Sequence, residues 1–228
     1  MAAENRVVIV GGHGKIALIA ATQLTQAGYA VKSLIRNPEQ RDEVAATGAE
    51  PHVLDIETAD VDRLAEAFAD AGAVVFSAGA GGGNPARTHA VDYEAAVRTM
   101  GAAAEAGVRR YVMVSYVRAD TDVDTLDPES SFHPYAKAKH DADAHLRQTA
   151  LDWTILGPGT LTQEPGRGTV QIVDAHGLVD GQELPSDQLS VPREDVASAI
   201  THAVTTGAAV GQTRRFVTGE TPIAEAIA

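Results

Sequence analysis

Short apolar runs recur along the chain: Val7-Val-Ile-Val10, Ala30-Val-Lys-Ser-Leu-Ile35, His52-Val-Leu54, Ala73-Val-Val-Phe76, Arg110-Tyr-Val-Met-Val114 and Trp153-Thr-Ile-Leu156. Nearly continuous runs of this kind suit strands buried on both faces, as in a parallel sheet covered by helices. Between them the period changes. Ile16, Ile19, Ala20, Leu24 and Ala27 fall at helical spacing, with Gln23 the polar exception, and Gly28 stands where a C-terminal cap belongs. Pro38-Glu39 opens a second helix, Val61–Ala69 supplies a third, Pro85–Ala106 a long fourth ending before Gly107, and Tyr135–Gln148 a fifth. Pro192 followed by Arg-Glu-Asp puts proline in a first helical turn and carboxylates at the positive end of the macrodipole, ahead of Val196–Val204.

This alternation predicts an α/β fold, a Rossmann-type doubly wound parallel sheet with helices on both faces. Residues 157–191 carry Gly157-Pro-Gly159, Pro165-Gly-Arg-Gly168 and Gly181 around one strand-like piece, Thr169–Val173. They are expected to form a small C-terminal cap over the carboxyl ends of the strands, where open α/β sheets bind ligands. Residues 1–228 read as a single domain: the one low-complexity stretch, Gly79-Ala-Gly-Gly-Gly83, does not read as an interdomain linker.

Composition narrows the function classes. The net charge of −13 over 228 residues repels phosphate backbones and anionic headgroups, so neither nucleic acid nor membrane is expected as a partner. Zero cysteines exclude disulfides, thiolate zinc sites and a cysteine nucleophile, and leave the cytoplasm the favoured compartment. Met1–Arg6 carries one acid and one base before only four apolar residues, unlike a signal peptide or a span.

The first strand runs directly into Gly11-Gly-His-Gly-Lys-Ile-Ala17, which fits Gly-x-x-Gly-x-x-Ala opening a helix. Glycines allow a tight turn and close approach of a pyrophosphate to the amides of the helix N-terminus, so Gly11, Gly12, His13, Gly14, Lys15 and Ile16 are candidate dinucleotide contacts. The pattern by itself also fits an ordinary strand-to-helix turn. Strand before and helix after favour the dinucleotide. Arg36 ends the second strand, 22 residues beyond Gly14, where an NAD-selective site would carry an acid for the ribose 2′-hydroxyl. A guanidinium there suits a 2′-phosphate, so NADP is expected over NAD. Asp55 and Ile56 after the third strand are placed for the adenine, and Ser77, Ala78 and Gly79 after the fourth for the cofactor, although a plain loop fits these three equally well.

Five carboxylates between Asp120 and Glu129 lack the glycine and closing glutamate of a calcium loop and read as a solvated surface loop. His140 and His145 are five apart, the wrong spacing for a two-histidine metal face, so no metal is expected, while His133 stands near the substrate side.

The glycine loop, Val91-Asp-Tyr93, Gly107-Val-Arg-Arg-Tyr-Val-Met-Val-Ser115, Tyr135-Ala-Lys-Ala-Lys139, Leu151-Asp-Trp-Thr-Ile-Leu-Gly-Pro-Gly159 and Val191-Pro-Arg-Glu-Asp-Val196 occur in this order over nearly the whole chain. In these residues the sequence resembles the atypical branch of the short-chain dehydrogenase/reductase superfamily, the NmrA-like, NAD(P)-binding, epimerase-like proteins. The resemblance implies a catalytic group of Ser115, Tyr135 and Lys139, with Lys139 also reaching the nicotinamide ribose. An ammonium near Tyr135 is expected to lower the phenol from its ordinary value of about 10. Ser115 would then bind a substrate carbonyl while Tyr135 moves the proton. The family usually carries arginine where Gly157 stands, so a basic group that could hold a substrate or the cap is expected to be missing.

Together these features predict an NADPH-dependent oxidoreductase passing hydride to a small carbonyl, quinone or flavin-like acceptor, a small molecule whose identity the composition leaves open. The alternatives are a non-catalytic NADP(H)-binding redox sensor, since many members of this branch work so, and a sugar-nucleotide epimerase or dehydratase. About 70 residues after the sixth strand leave little room for the latter's usual substrate domain. A homodimer through the long fourth and fifth helices stays open.

Overall fold

The computed structural model describes residues 3–81 and 84–228; Met1, Ala2 and the Gly82-Gly83 part of the glycine-rich stretch lie outside the described residues. Eleven strands appear among these residues: β1 (Ala3–Val10), β2 (Ala30–Ile35), β3 (Glu50–Val53), β4 (Ala71–Phe76), β5 (Arg110–Val114), β6 (Asp152–Pro158), β7 (Thr160–Thr162), β8 (Thr169–Ile172), β9 (Ser190–Pro192), β10 (Gln212–Thr218) and β11 (Thr221–Pro222). The α-helices are α1 (Lys15–Gln26), α2 (Arg41–Ala45), α3 (Val61–Phe68), α4 (Pro85–Thr88), α5 (Ala96–Glu105), α6 (Asp122–Thr125), α7 (His133–Arg147), α8 (Arg193–Thr206) and α9 (Ile223–Ala226). A π-helical stretch, His89–Ala95, joins α4 to α5.

The main sheet has the order β11-β8-β10-β6-β5-β4-β1-β2-β3. From β3 to β10 every neighbouring pair is parallel, and β8 and β11 close the far edge antiparallel. This is the doubly wound arrangement the alternation predicts, and the chain reverses its direction of winding between β1 and β4. The crevice at the carboxyl ends of those two strands is the topological switch point where such sheets take ligands.

Alternating side chains on β1 explain why one continuous apolar run serves two layers. Val7 and Ile9 pack with α1 and α8 through Ala20, Leu24, Val196 and Ile200, while Val8 and Val10 face α3, α5 and α7 through Leu64, Met100 and Leu146. All four β1 side chains are fully buried, each stabilising the fold by roughly 1.5–3 kcal/mol. Helix starts are capped where the sequence allows it: Asp60 accepts from the Arg63 amide and Asn84 from the Arg87 amide. Arg110 fastens the other end of the molecule, donating to the carbonyls of Asp152, Ala203 and Ala208, and burial pushes its guanidinium down to about 10.

Residues 157–191 divide between two roles. Thr169–Ile172 becomes β8 of the main sheet, whereas β7 and β9 pair as a separate two-stranded sheet beside it. Below them, Glu194 accepts from the Gly166 amide, and buried Asp195 accepts from the amides of Arg167 and Gly168. The Pro-Arg-Glu-Asp segment therefore clamps a loop as well as opening α8. No helix among the described residues is long and apolar enough to cross a membrane.

Candidate active site

A cavity of about 370 Å³ opens at the switch point, lined on one side by Gly11, His13 and Gly14 and on the other by Ser77, Ala78 and Gly79. Gly11 has φ +80°, and a Cβ on it would lie 2.5 Å from the Ala78 Cα; one on Gly12 would lie 2.4 Å from the Ser33 Cβ. Only glycine lets the loop run this close to β2 and the end of β4. Gly14 caps α1 without a side-chain hydrogen bond, and the first turn holds no acidic residue. The positive end of the α1 dipole stands behind Gly14 on the cavity wall with no acidic side chain in the first turn to offset it, which fits the pyrophosphate of a dinucleotide.

Arg36, Asp55, Ile56 and Glu57 line the far end of the same cavity. Gly12, Lys15 and Ile16 are not on its wall: Gly12 packs against Ser33, Lys15 is exposed at the head of α1, and Ile16 belongs to the core with α8. His13 lies 2.6 Å from Glu43 of α2, as a polar loop residue should.

Ser115, Tyr135 and Lys139 lie apart from that lining, joined to it through Asp92. This aspartate follows cavity-lining Val91 in the π stretch, and its carboxylate accepts from the Ala80 amide at 3.1 Å. Lys139, 2% exposed, donates to the Val114 carbonyl at 2.7 Å and lies 5.9 Å from the centre of the Phe76 ring. Ser115 donates to buried Asp143 at 2.5 Å, and the other Asp143 oxygen has no hydrogen-bond partner among the described residues. Burial raises Asp143 to about 6 against the pull of Lys139 and Ser115, and raises Asp92 against Lys139, the Ala80 amide and Arg87.

The expected depression of the Tyr135 phenol is therefore corrected. Burial pushes it up, and Asp92 and Asp143 push it further. Lys139 spends its charge on the two carboxylates and a carbonyl. Tyr135 instead packs in an aromatic group, its ring centre 5.3 Å from that of Tyr116 and 5.4 Å from that of Phe132, which is 42% exposed.

A guanidinium from the neighbouring strand lies beside Gly157. Arg215 of β10 is in register with Gly157, and a Cβ there would lie 3.3 Å from the Arg215 Cγ. Arg215 and Arg147 both bind Asp120, which fixes the segment between β5 and α7.

The profile of the NAD(P)H-binding family matches residues 11–206, from the glycine loop through α8. The chain belongs to this family. It is 32% identical to a putative NAD-dependent epimerase/dehydratase from Bacillus halodurans, whose structure superposes with a TM-score of 0.85 over 97% of this chain and 98% of that one. The structure of the oxidoreductase ylbE from Lactococcus lactis gives a TM-score of 0.81 at 26% identity, covering 97% and 94%. An uncharacterized sugar epimerase, YhfK of Bacillus subtilis, is 31% identical over 97% of this chain and 98% of its own length. These likenesses agree with the atypical short-chain dehydrogenase/reductase reading of the motifs.

Sequence reasoning left Asp92, Asp143, Glu57 and Arg87 without a role at the site. For Asp143 the signal was present: Ala136, Lys139, Ala142, Asp143 and Leu146 share the buried stripe of α7, and two charges on an apolar stripe must answer each other.

Proposed function

We propose that this protein is an NADPH-dependent oxidoreductase acting on a small carbonyl, quinone or flavin-like acceptor. The observation that supports the reading is the link from the glycine-lined cavity, through Val91 and Asp92, to the buried group around Lys139. Gly11, Gly14 and the α1 amides would hold the pyrophosphate, Arg36 the 2′-phosphate, Asp55 and Ile56 the adenosine, and Ser77 to Gly79 the middle of the dinucleotide. When bound, the cofactor supplies the hydride.

The side chains then have the following tasks. Tyr135, held above its ordinary value, keeps its proton at neutral pH and releases it only to an oxygen that is gaining negative charge. Ser115 is oriented by Asp143, and Lys139 balances two buried carboxylates so that the site carries less uncompensated charge. The Tyr116, Phe132 and Tyr135 rings offer a planar acceptor an aromatic wall. After β6 the longest elements, β10 and α8, belong to the sheet and its flanking layer, which favours a small acceptor over a nucleotide sugar.

One observation favours a second reading. Lys139 is turned to a backbone carbonyl and does not activate Tyr135, as suits a protein that binds NADP(H) and signals its redox state without turnover. An acceptor screen following NADPH oxidation separates the two. The oxidoreductase reading expects turnover that Tyr135→Phe lowers at least a hundredfold with cofactor affinity kept. Tight binding without oxidation of any acceptor supports the sensor, and conversion of nucleotide sugars without net oxidation supports an epimerase.

A further inference from the structure

The adenosine end of the cavity holds a second guanidinium that the glycine-loop pattern gives no reason to expect. Arg87 of α4 lines the cavity with Arg36, and both donate to the same oxygen of Glu57: Arg36 Nη1 at 2.8 Å and Arg87 Nε at 3.0 Å. Their side chains are 54% and 36% exposed, so both stay within reach of a ligand. The backbone that carries Glu57 is itself fixed. Arg98 donates to the carbonyls of Ile56 and Glu57 at 2.8 and 3.1 Å, and the Glu57 amide donates to Asp55. Arg87 is anchored too, giving a 2.6 Å hydrogen bond to the Ala80 carbonyl.

One anionic oxygen between two guanidiniums from different elements is the arrangement a phosphate monoester oxygen would take. The geometry points to Arg87 as the second residue that recognises the 2′-phosphate, with Glu57 as the internal anion it displaces. Arg36 and Arg87 are held near each other by Glu57, so their mutual repulsion is already compensated before the cofactor arrives. A 2′-phosphate carries between one and a half and two negative charges near neutrality and three acceptor oxygens, against one charge on the carboxylate. It therefore outcompetes Glu57 for both guanidiniums, while the plain ribose of NAD leaves the Glu57 pairing in place. Because Arg87 also holds the Ala80 carbonyl, the exchange is felt in the loop that follows β4. Discrimination between the two cofactors is then a property of three side chains.

This inference rests on the NADP reading, and the experiment separates the two. NADP+ and NAD+ affinities are measured by calorimetry on the wild-type chain and on Arg36→Gln, Arg87→Gln and Glu57→Gln. The NADP reading expects the wild-type protein to prefer NADP+ and Arg36→Gln to remove that preference; equal wild-type affinities overturn the reading and the inference with it. The inference expects Arg87→Gln to weaken NADP+ by tenfold to a hundredfold, the effect of losing a hydrogen bond to a charged group, with NAD+ within twofold. It expects Glu57→Gln to tighten NADP+ severalfold without changing NAD+. If Arg36→Gln is selective but Arg87→Gln weakens both cofactors alike, Arg87 is a structural anchor and the inference falls while the reading stands. Weakened NADP+ binding in Glu57→Gln also overturns it. Should Arg87→Gln fail to fold, Arg87→Lys keeps the charge, loses the forked donors and must still reduce NADP+ selectively.

Discussion

At the dinucleotide end of the site the determining features belong to the main chain: a left-handed turn at Gly11, a Cβ-free approach to Ser33 and Ala78, and the N-terminus of α1 behind Gly14. At the Ser115 end they are buried charges, with Lys139 set between Asp92 and Asp143. A surface built of backbone is nearly independent of pH and intolerant of volume. One built of buried ionisable groups tolerates shape and responds to protons. The two halves of one cleft should therefore fail in different ways.

Replacing Lys139 by methionine tests this most severely. Two carboxylates lose their buried counter-charge, and stability should fall by about 3–5 kcal/mol. The loss should be larger at pH 8 than at pH 5, where the unpaired acids take up protons; equal urea midpoints at both would break the contrast.

Asp143→Asn isolates the protonic part. The folded-state value of about 6 lies above the ordinary 3.8, so the native state holds the proton more tightly and the ionised acid lowers stability as pH rises from about 4 to about 6. The variant should gain on the wild-type protein by up to about 3 kcal/mol over that window and stay level outside it. Denaturant titrations at four pH values would show it, and a flat difference would contradict it.

At the other end, Gly11→Ala should lower stability by about 1–3 kcal/mol through overpacking against Ala78. The loss should be the same at pH 5 and pH 8. Lys137→Met sets the floor. Two residues from Lys139 on the same helix, it is 58% exposed and pairs with Asp141 at i+4, so its removal should change stability by about 0.5 kcal/mol or less.

The same division governs what could be read from the sequence. Strands β2 and β5 fall where the apolar runs place them, and the glycine loop, Arg36, Asp55 and Ile56 follow from local pattern because backbone turns and strand ends are local properties. Strand β10 was not legible: Gln212-Thr-Arg-Arg-Phe-Val-Thr218 is polar, and only pairing with β6, with Arg215 reaching Asp120, makes it part of the parallel sheet. One partner of Lys139 was hidden for a related reason. Asp143 lies four residues from Lys139 on the buried stripe of α7, within reach of a spacing rule, but Asp92 comes from the separate π stretch and no spacing links it to Lys139. The separate β7–β9 sheet joins segments 28 or more residues apart and carries no strong strand pattern of its own.

The π stretch at His89–Ala95 closes its hydrogen bonds five residues back where α4 and α5 close them four back, so it holds one residue more than a regular helix would. Deleting one residue between Asp92 and α5 would be expected to restore an unbroken α-helix. It would also turn Asp92 by about 100° relative to α5, away from the Ala80 amide and Lys139. The second buried acid of this cleft is thus placed by a single inserted residue in one helix.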